Sequence, residues 1–242
     1  MKRYLALLWL LLPLPVVVLH FSHGQGWLEV DQARVLVREG ELAEKRGDWA
    51  EADKSFRDAA KLVATSEPDL KLRLDLAQIR TRFRTGEAVE AIDLSESLVN
   101  DPGFASMPKS FRGEARELSG RIHYYAAWVM RLEGAQRELW MEEAELARQN
   151  YRMLAEEFSD SGDPERHQKD LESAVQLQRL SLTELMARPL PKEGQCMANQ
   201  GLSEQMAKRR GQRGKKPGRG PSGDGPPKSG AGLDRFKPGS GS

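Results

Sequence analysis

Four histidines, one cysteine and thirty-six Asp and Glu residues are what acid–base, metal or nucleophilic chemistry would have to use in this 242-residue chain. His20 and His23 flank an apolar N-terminal run, His123 follows Ile122 in a long helical stretch, and His167 falls in the first turn of a later helix. None stands at zinc-ligand spacing from a cysteine or another histidine, so His123 reads as interface packing and His167 as surface. Glu142-Glu143 and Glu156-Glu157 accompany Arg and Lys at helical steps, the pattern of solvated helix faces. Cys196, the single cysteine, excludes an intrachain disulfide and reads as an incidental thiol. No glycine-rich phosphate loop follows a strand, because no run alternates as a strand does. The residues therefore point to no catalytic centre, no cofactor, no metal and no small-molecule substrate.

Charge is the other chemistry available. From Arg188 onward there are twelve basic and four acidic residues, so the tail carries +8 and the preceding body −7. Lys208, Arg209, Arg210, Arg213, Lys215, Lys216 and Arg219 form the dense part, suited to a polyanion such as nucleic acid, anionic lipid or a cell-wall polymer. No aromatic residues interleave to stack on bases, and a solvated tail that confers solubility is the plainer reading. Residues 188–242 also hold 12 of the 22 glycines and 7 of the 13 prolines. Such a segment buries too little to offset its ordering entropy, so the whole of it is predicted to be disordered.

At the other end, Lys2 and Arg3 precede an uncharged run over 4–19, followed by Ser22 and Gly24. Cations that stay behind while an apolar core enters the bilayer make a secretory signal, cleaved here after Gly24. A retained signal anchor over residues 4–21 fits too, because about 18 apolar residues approach the length of a span. A buried core helix is the third reading. Either of the first two places residues 27–187 outside the cytoplasm, periplasmic, secreted or held at the inner membrane of a bacterial envelope.

That middle region must position everything else. Its apolar residues recur every three or four positions, which predicts amphipathic helices. Breaks fall at Gly47, Glu67-Pro68, Gly86, Asp101-Pro102-Gly103 and over 159–164. Gly134 either breaks the chain or sits inside one very long helix. About seven helices joined by short turns become antiparallel neighbours. Over 111–132 and 140–158 the apolar steps alternate four and three without a miss, which gives a coiled-coil-like hairpin. A last helix runs to Ala187 before Pro189.

The first pair has a sharper pattern. Gly40 faces the small–aromatic–small spacing Ala52, Phe56 and Ala59, with Gly47-Asp48-Trp49 at the turn. This resembles the tetratricopeptide repeat, and Gly86, Ala91 and Leu98 form a weaker copy 39 residues on. The resemblance implies an all-α fold of antiparallel hairpins stacked as a short solenoid. It also implies that first helices line a concave groove for peptide segments or helices of a protein partner. In the first hairpin that groove would show Arg34, Val37, Arg38 and Glu41, with Arg34 and Arg38 gripping a carboxylate. The expected function is a non-enzymatic interaction scaffold outside the cytoplasm, with polyanion binding through the tail as the alternative.

Overall fold

A computed structural model describes residues 25–63, 67–158, 164–188 and 201–215. The apolar N-terminal segment, Cys196, Lys216 and Arg219 lie outside the described residues. The fold is all-α, and no strand occurs among the described residues. Three antiparallel hairpins follow one another: α1 (Gln25–Arg46) with α2 (Trp49–Val63), α3 (Pro68–Thr85) with α4 (Ala88–Val99), and α5 (Lys109–Leu132) with α6 (Arg137–Glu157). Then come α7 (Pro164–Arg179), the short α8 (Leu182–Met186) and α9 (Leu202–Lys215). Each helix from α1 to α7 packs on the next in the chain, and α3 also touches α5, so successive hairpins stack.

One turn is used three times. Gly47, Gly86 and Gly134 take φ of +77°, +99° and +74°, a conformation that costs other residues a Cβ clash. In each case the next amide reaches back five residues: Asp48 N to Ala43 O, Glu87 N to Arg82 O and Ala135 N to Met130 O. This closes the orphan carbonyls of the first helix and turns the chain through a hairpin. Gly134 therefore breaks the chain, and the single very long helix is excluded. The two halves of the third hairpin are also longer than those of the second, which leaves the far end of α5 and α6 without an α4 neighbour.

The helices close in through glycine and aromatic pairs. A Cβ on Gly40 would lie 2.6 Å from the Phe56 ring. The same relation holds between Gly113 and Phe158 and between Gly120 and Tyr151, each at 2.8 Å. Ala52, Phe56 and Ala59 are buried together with Ala33 and Ala43, while Ala91 and Leu98 enter the central cluster with Ile79, Phe83 and Ile122. Two polar clasps cross the hairpins. Asp53, 4% exposed, accepts from Thr81 Oγ1 at 3.1 Å and pairs with Arg57 at 2.8 Å. Arg131 lies 4.4 Å over the Trp140 ring and donates to the carbonyls of Leu177 and Leu180 at the end of α7.

Two expectations are revised. The last helix does not run unbroken to Ala187. It stops at Arg179, and Ser181 with Glu184 forms a capping box that starts α8. More importantly, residues 202–215, expected to be part of a disordered tail, form α9, whose Leu202 and Met206 are buried in the central cluster. Two apolar residues one turn apart and a set of carboxylates on the body offset the ordering cost that glycine and charge impose.

Candidate functional site

The first helices of the three hairpins share one concave face. Val37 and Glu41 of α1, Leu70, Arg73, Leu74 and Arg80 of α3, and Phe111 and Glu114 of α5 line a hollow of about 260 Å³. Arg80 spans all three helices: its Nε and Nη2 reach Glu44 at 2.8 and 3.0 Å, and its Nη1 reaches Glu114 at 2.9 Å. Burial disfavours that guanidinium's charge, but the Glu44 hydrogen bonds and the carboxylates of Glu44, Glu114 and Glu41 outweigh it and hold the pKa up. Arg80 is thus a structural bolt in the floor. Arg73, also in this hollow, is exposed and lies 5.9 Å from the centre of the Phe111 ring.

Glu114 also borders a second hollow, of about 500 Å³, lined by Lys109, Gly113, Glu117, Leu154, Phe158 and His167. Lys109 Nζ sits 5.0 Å over the Phe158 ring. His167 packs edge-on against the same ring at 6.5 Å, and its Nδ1 is buried with no hydrogen-bond partner among the described residues. The expectation of a surface histidine is corrected: His167 is only 9% exposed, because Phe158 reaches across from the end of α6. The two hollows share Glu114 in their linings, and each holds an aromatic ring with a cation over it.

Of the groove residues foreseen, Val37 and Glu41 line these hollows and Arg34 and Arg38 do not. Arg34 pairs with Asp31 at 3.2 Å and borders a separate hollow with Val30 and Glu67. Arg38 is exposed on the outer side of α1. The residues that do line them, Arg73, Phe111, Lys109 and Phe158, carried a signal in the sequence. Phe111 opens one unbroken apolar period and Phe158 closes the other, but the cation over each ring comes from a different helix, Arg73 from α3 and Lys109 from α5.

The basic tail divides. Arg209 is 10% exposed and donates to Asp93 at 2.7 Å and Glu96 at 2.8 Å, with Glu143 at 3.8 Å. Burial opposes its charge, and the Glu96 and Asp93 hydrogen bonds more than restore it. It is therefore engaged with the body and not presented to a polyanion. Lys208 pairs with Glu204 at 2.7 Å and Arg210 approaches Glu142 at 3.7 Å, both on the surface. The side chains of Arg213 and Lys215 lie outside the described residues.

Glu143 likewise departs from the solvated face assigned to it. Buried under α9, it is joined to the equally buried His123 Nδ1 by a 2.6 Å hydrogen bond. Both are removed from water, so each must find a partner inside. Among the described residues no three His, Cys, Asp or Glu side chains gather as metal ligands, and no helix is long and apolar enough to cross a membrane. Comparison with family models, with curated proteins and with solved structures found no match to this chain.

Proposed function

We propose that this protein is a non-enzymatic scaffold whose tetratricopeptide-like hairpins take an extended segment of a protein partner along their concave face. The carrying observation is the pair of hollows that meet at Glu114, one lined by α1, α3 and α5 and holding Phe111, the other lined by α5, the end of α6 and His167 of α7 and holding Phe158. Such a surface supplies apolar stations for side chains with cations beside them, the composition of a peptide-recognition groove. Residues 4–21 place this body at the extracytoplasmic face of a membrane, as a cleaved signal or as an anchor.

The groove takes precedence over the polyanion reading because Arg209, the centre of the basic run, is already matched by carboxylates of the body. The test is cross-linking and capture from detergent-solubilised membranes with the full chain as bait. Arg73→Glu and Lys109→Glu reverse the two exposed cations of the hollows without touching the core. Loss of the same captured proteins from both variants supports the groove. Unchanged capture by both, with loss after deletion of 216–242, overturns it in favour of the tail.

A further inference from the structure

The face that α4, α5 and α6 turn toward α9 makes three separate contacts with that helix. Glu133, just after α5, accepts from Gly201 N at 3.0 Å and Leu202 N at 3.2 Å through Oε1, and from Ser203 N at 2.7 Å through Oε2. These are amides that a helix start leaves without partners, and a carboxylate there also complements the helix dipole. One turn on, Leu202 and Met206 sink into the cluster that contains Ile92, Ala126 and Met130. One turn further, Asp93, Glu96 and Glu143 surround the Arg209 guanidinium, and Glu142 lies near Arg210.

We propose that this face is a receptor for a basic amphipathic helix, that α9 is its tethered occupant, and that a partner helix of the same pattern displaces it. The pattern is an apolar residue, a second four positions on, and an arginine three beyond that. Polarity is built in. Glu133 satisfies an amino end only, and a helix laid in reverse would bring its carbonyl end onto that carboxylate and its arginine away from Asp93 and Glu96. Charge complementarity names the partner chemistry: five carboxylates (Asp93, Glu96, Glu133, Glu142, Glu143) frame two apolar seats, so the face favours a basic helix over a neutral or acidic one.

The occupant is held by one short set of contacts: the Glu133 amide bonds, the two apolar seats and the Arg209 pairs with Asp93 and Glu96. The remaining contact, Arg210 with Glu142, is more than half exposed, where ion pairs contribute little. Its departure frees Arg209 and Arg210, so capture of a partner helix on this face and release of the basic tail segment are one event. This goes beyond the concave groove, which lies on the first helices and is reached from the other side of the hairpins.

The experiment uses a fluorescent synthetic peptide of residues 201–215 and the full-length chain, followed by anisotropy. Wild-type chain holds its own α9 in the site, so its apparent affinity is reduced by the fraction of sites open. The Arg209→Glu chain, whose helix is repelled by Asp93 and Glu96, is expected to bind the peptide at least about tenfold more tightly than wild type. Adding Asp93→Asn and Glu96→Gln is expected to reverse that gain. A scrambled peptide of identical composition is the second measurement, since it keeps the charge and loses the pattern. Equal binding of scrambled and native peptides overturns the proposal, as does equal binding by wild-type and Arg209→Glu chains. Failure here leaves the Arg73 and Lys109 captures unaffected, because those variants touch a different face.

Discussion

Replacing each of the three glycines that face an aromatic ring by alanine tests whether the hairpins share one closing device. Gly40, Gly113 and Gly120 all lie inside helices, where alanine is the better helix former by about 1 kcal/mol. Against that, the new methyl would stand 2.6, 2.8 and 2.9 Å from three atoms of the Phe56 ring at Gly40. It would stand 2.8, 3.0 and 3.1 Å from Tyr151 at Gly120, and 2.8, 2.9 and 3.4 Å from Phe158 at Gly113. Overpacking of this kind costs about 1–3 kcal/mol, so the net expectation is a loss of roughly 0–2 kcal/mol. How far each ring can yield sets the order. Phe56 is 1% exposed but borders the smaller hollow, Tyr151 is 4% exposed and borders neither, and Phe158 borders the larger hollow and can swing into it. Gly120→Ala is therefore the most damaging and Gly113→Ala the least. Gly211→Ala is the control, since nothing lies within 4 Å of its added methyl. It is expected to be neutral or to stabilise α9 by up to about 1 kcal/mol. Urea denaturation gives the ordering from the midpoints at constant slope. Gly120→Ala with Tyr151→Leu closes a double-mutant cycle, with about 1 kcal/mol of relief expected when the ring is gone. Stabilisation by all three helix glycine substitutions would refute the claim that ring contact, and not chance, keeps alanine out.

Two further perturbations read other parts of the frame. Asp53→Ala removes the Thr81 contact that joins α2 to α3 and the partner of Arg57, and a loss of about 1 kcal/mol is expected, because Thr81 keeps the carbonyls of Ala77 and Gln78 and Arg57 is half exposed. Asp53→Asn, which retains an acceptor for Thr81, should lose less, and equal losses would show that the hydrogen bond is immaterial. At alkaline pH, burial pushes the Tyr124 phenol up to about 12 from its ordinary value near 10. The folded state binds that proton more tightly, so the contribution is complete below pH 10 and is lost as pH rises through 12. A phenolate absorbance titration should lose its latest step in Tyr124→Phe, and a wild-type chain that finishes titrating near 10 would contradict the burial.

What the sequence made legible follows from which forces are local. Gly47, Gly86 and Gly134 punctuate the chain because a left-handed turn needs glycine whatever surrounds it, and all three hairpins follow from that requirement. The apolar periods of the helices were equally plain, since one face of each must be covered. The groove was legible only to within one residue. Val37 and Glu41 line it, whereas Arg38, one residue on from Val37, is turned about 100° round the helix, and Arg34 shares the face of Glu41 but sits about two turns further along the axis. Choosing among them needs the position of α3, which no property of α1 contains.

The tail was misjudged for the same reason. Summed over 188–242, glycine, proline and charge outweigh the apolar residues, yet a helix is stabilised by its own contacts and not by the average of its surroundings. Leu202, Met206 and Arg209 keep helical spacing inside that composition, and the partners that give the spacing meaning are Ile92, Asp93, Glu96 and Glu133, about a hundred residues away. Glu143, which looks ordinary in its own helix, is buried between His123 and the docked α9. Composition located the basic segment but could not show that Arg209 within it pairs with the body. The nearest polyanion to Arg209 is the acidic body of its own chain, and the competition between that body and any other acidic or helical partner is what the docked helix makes measurable.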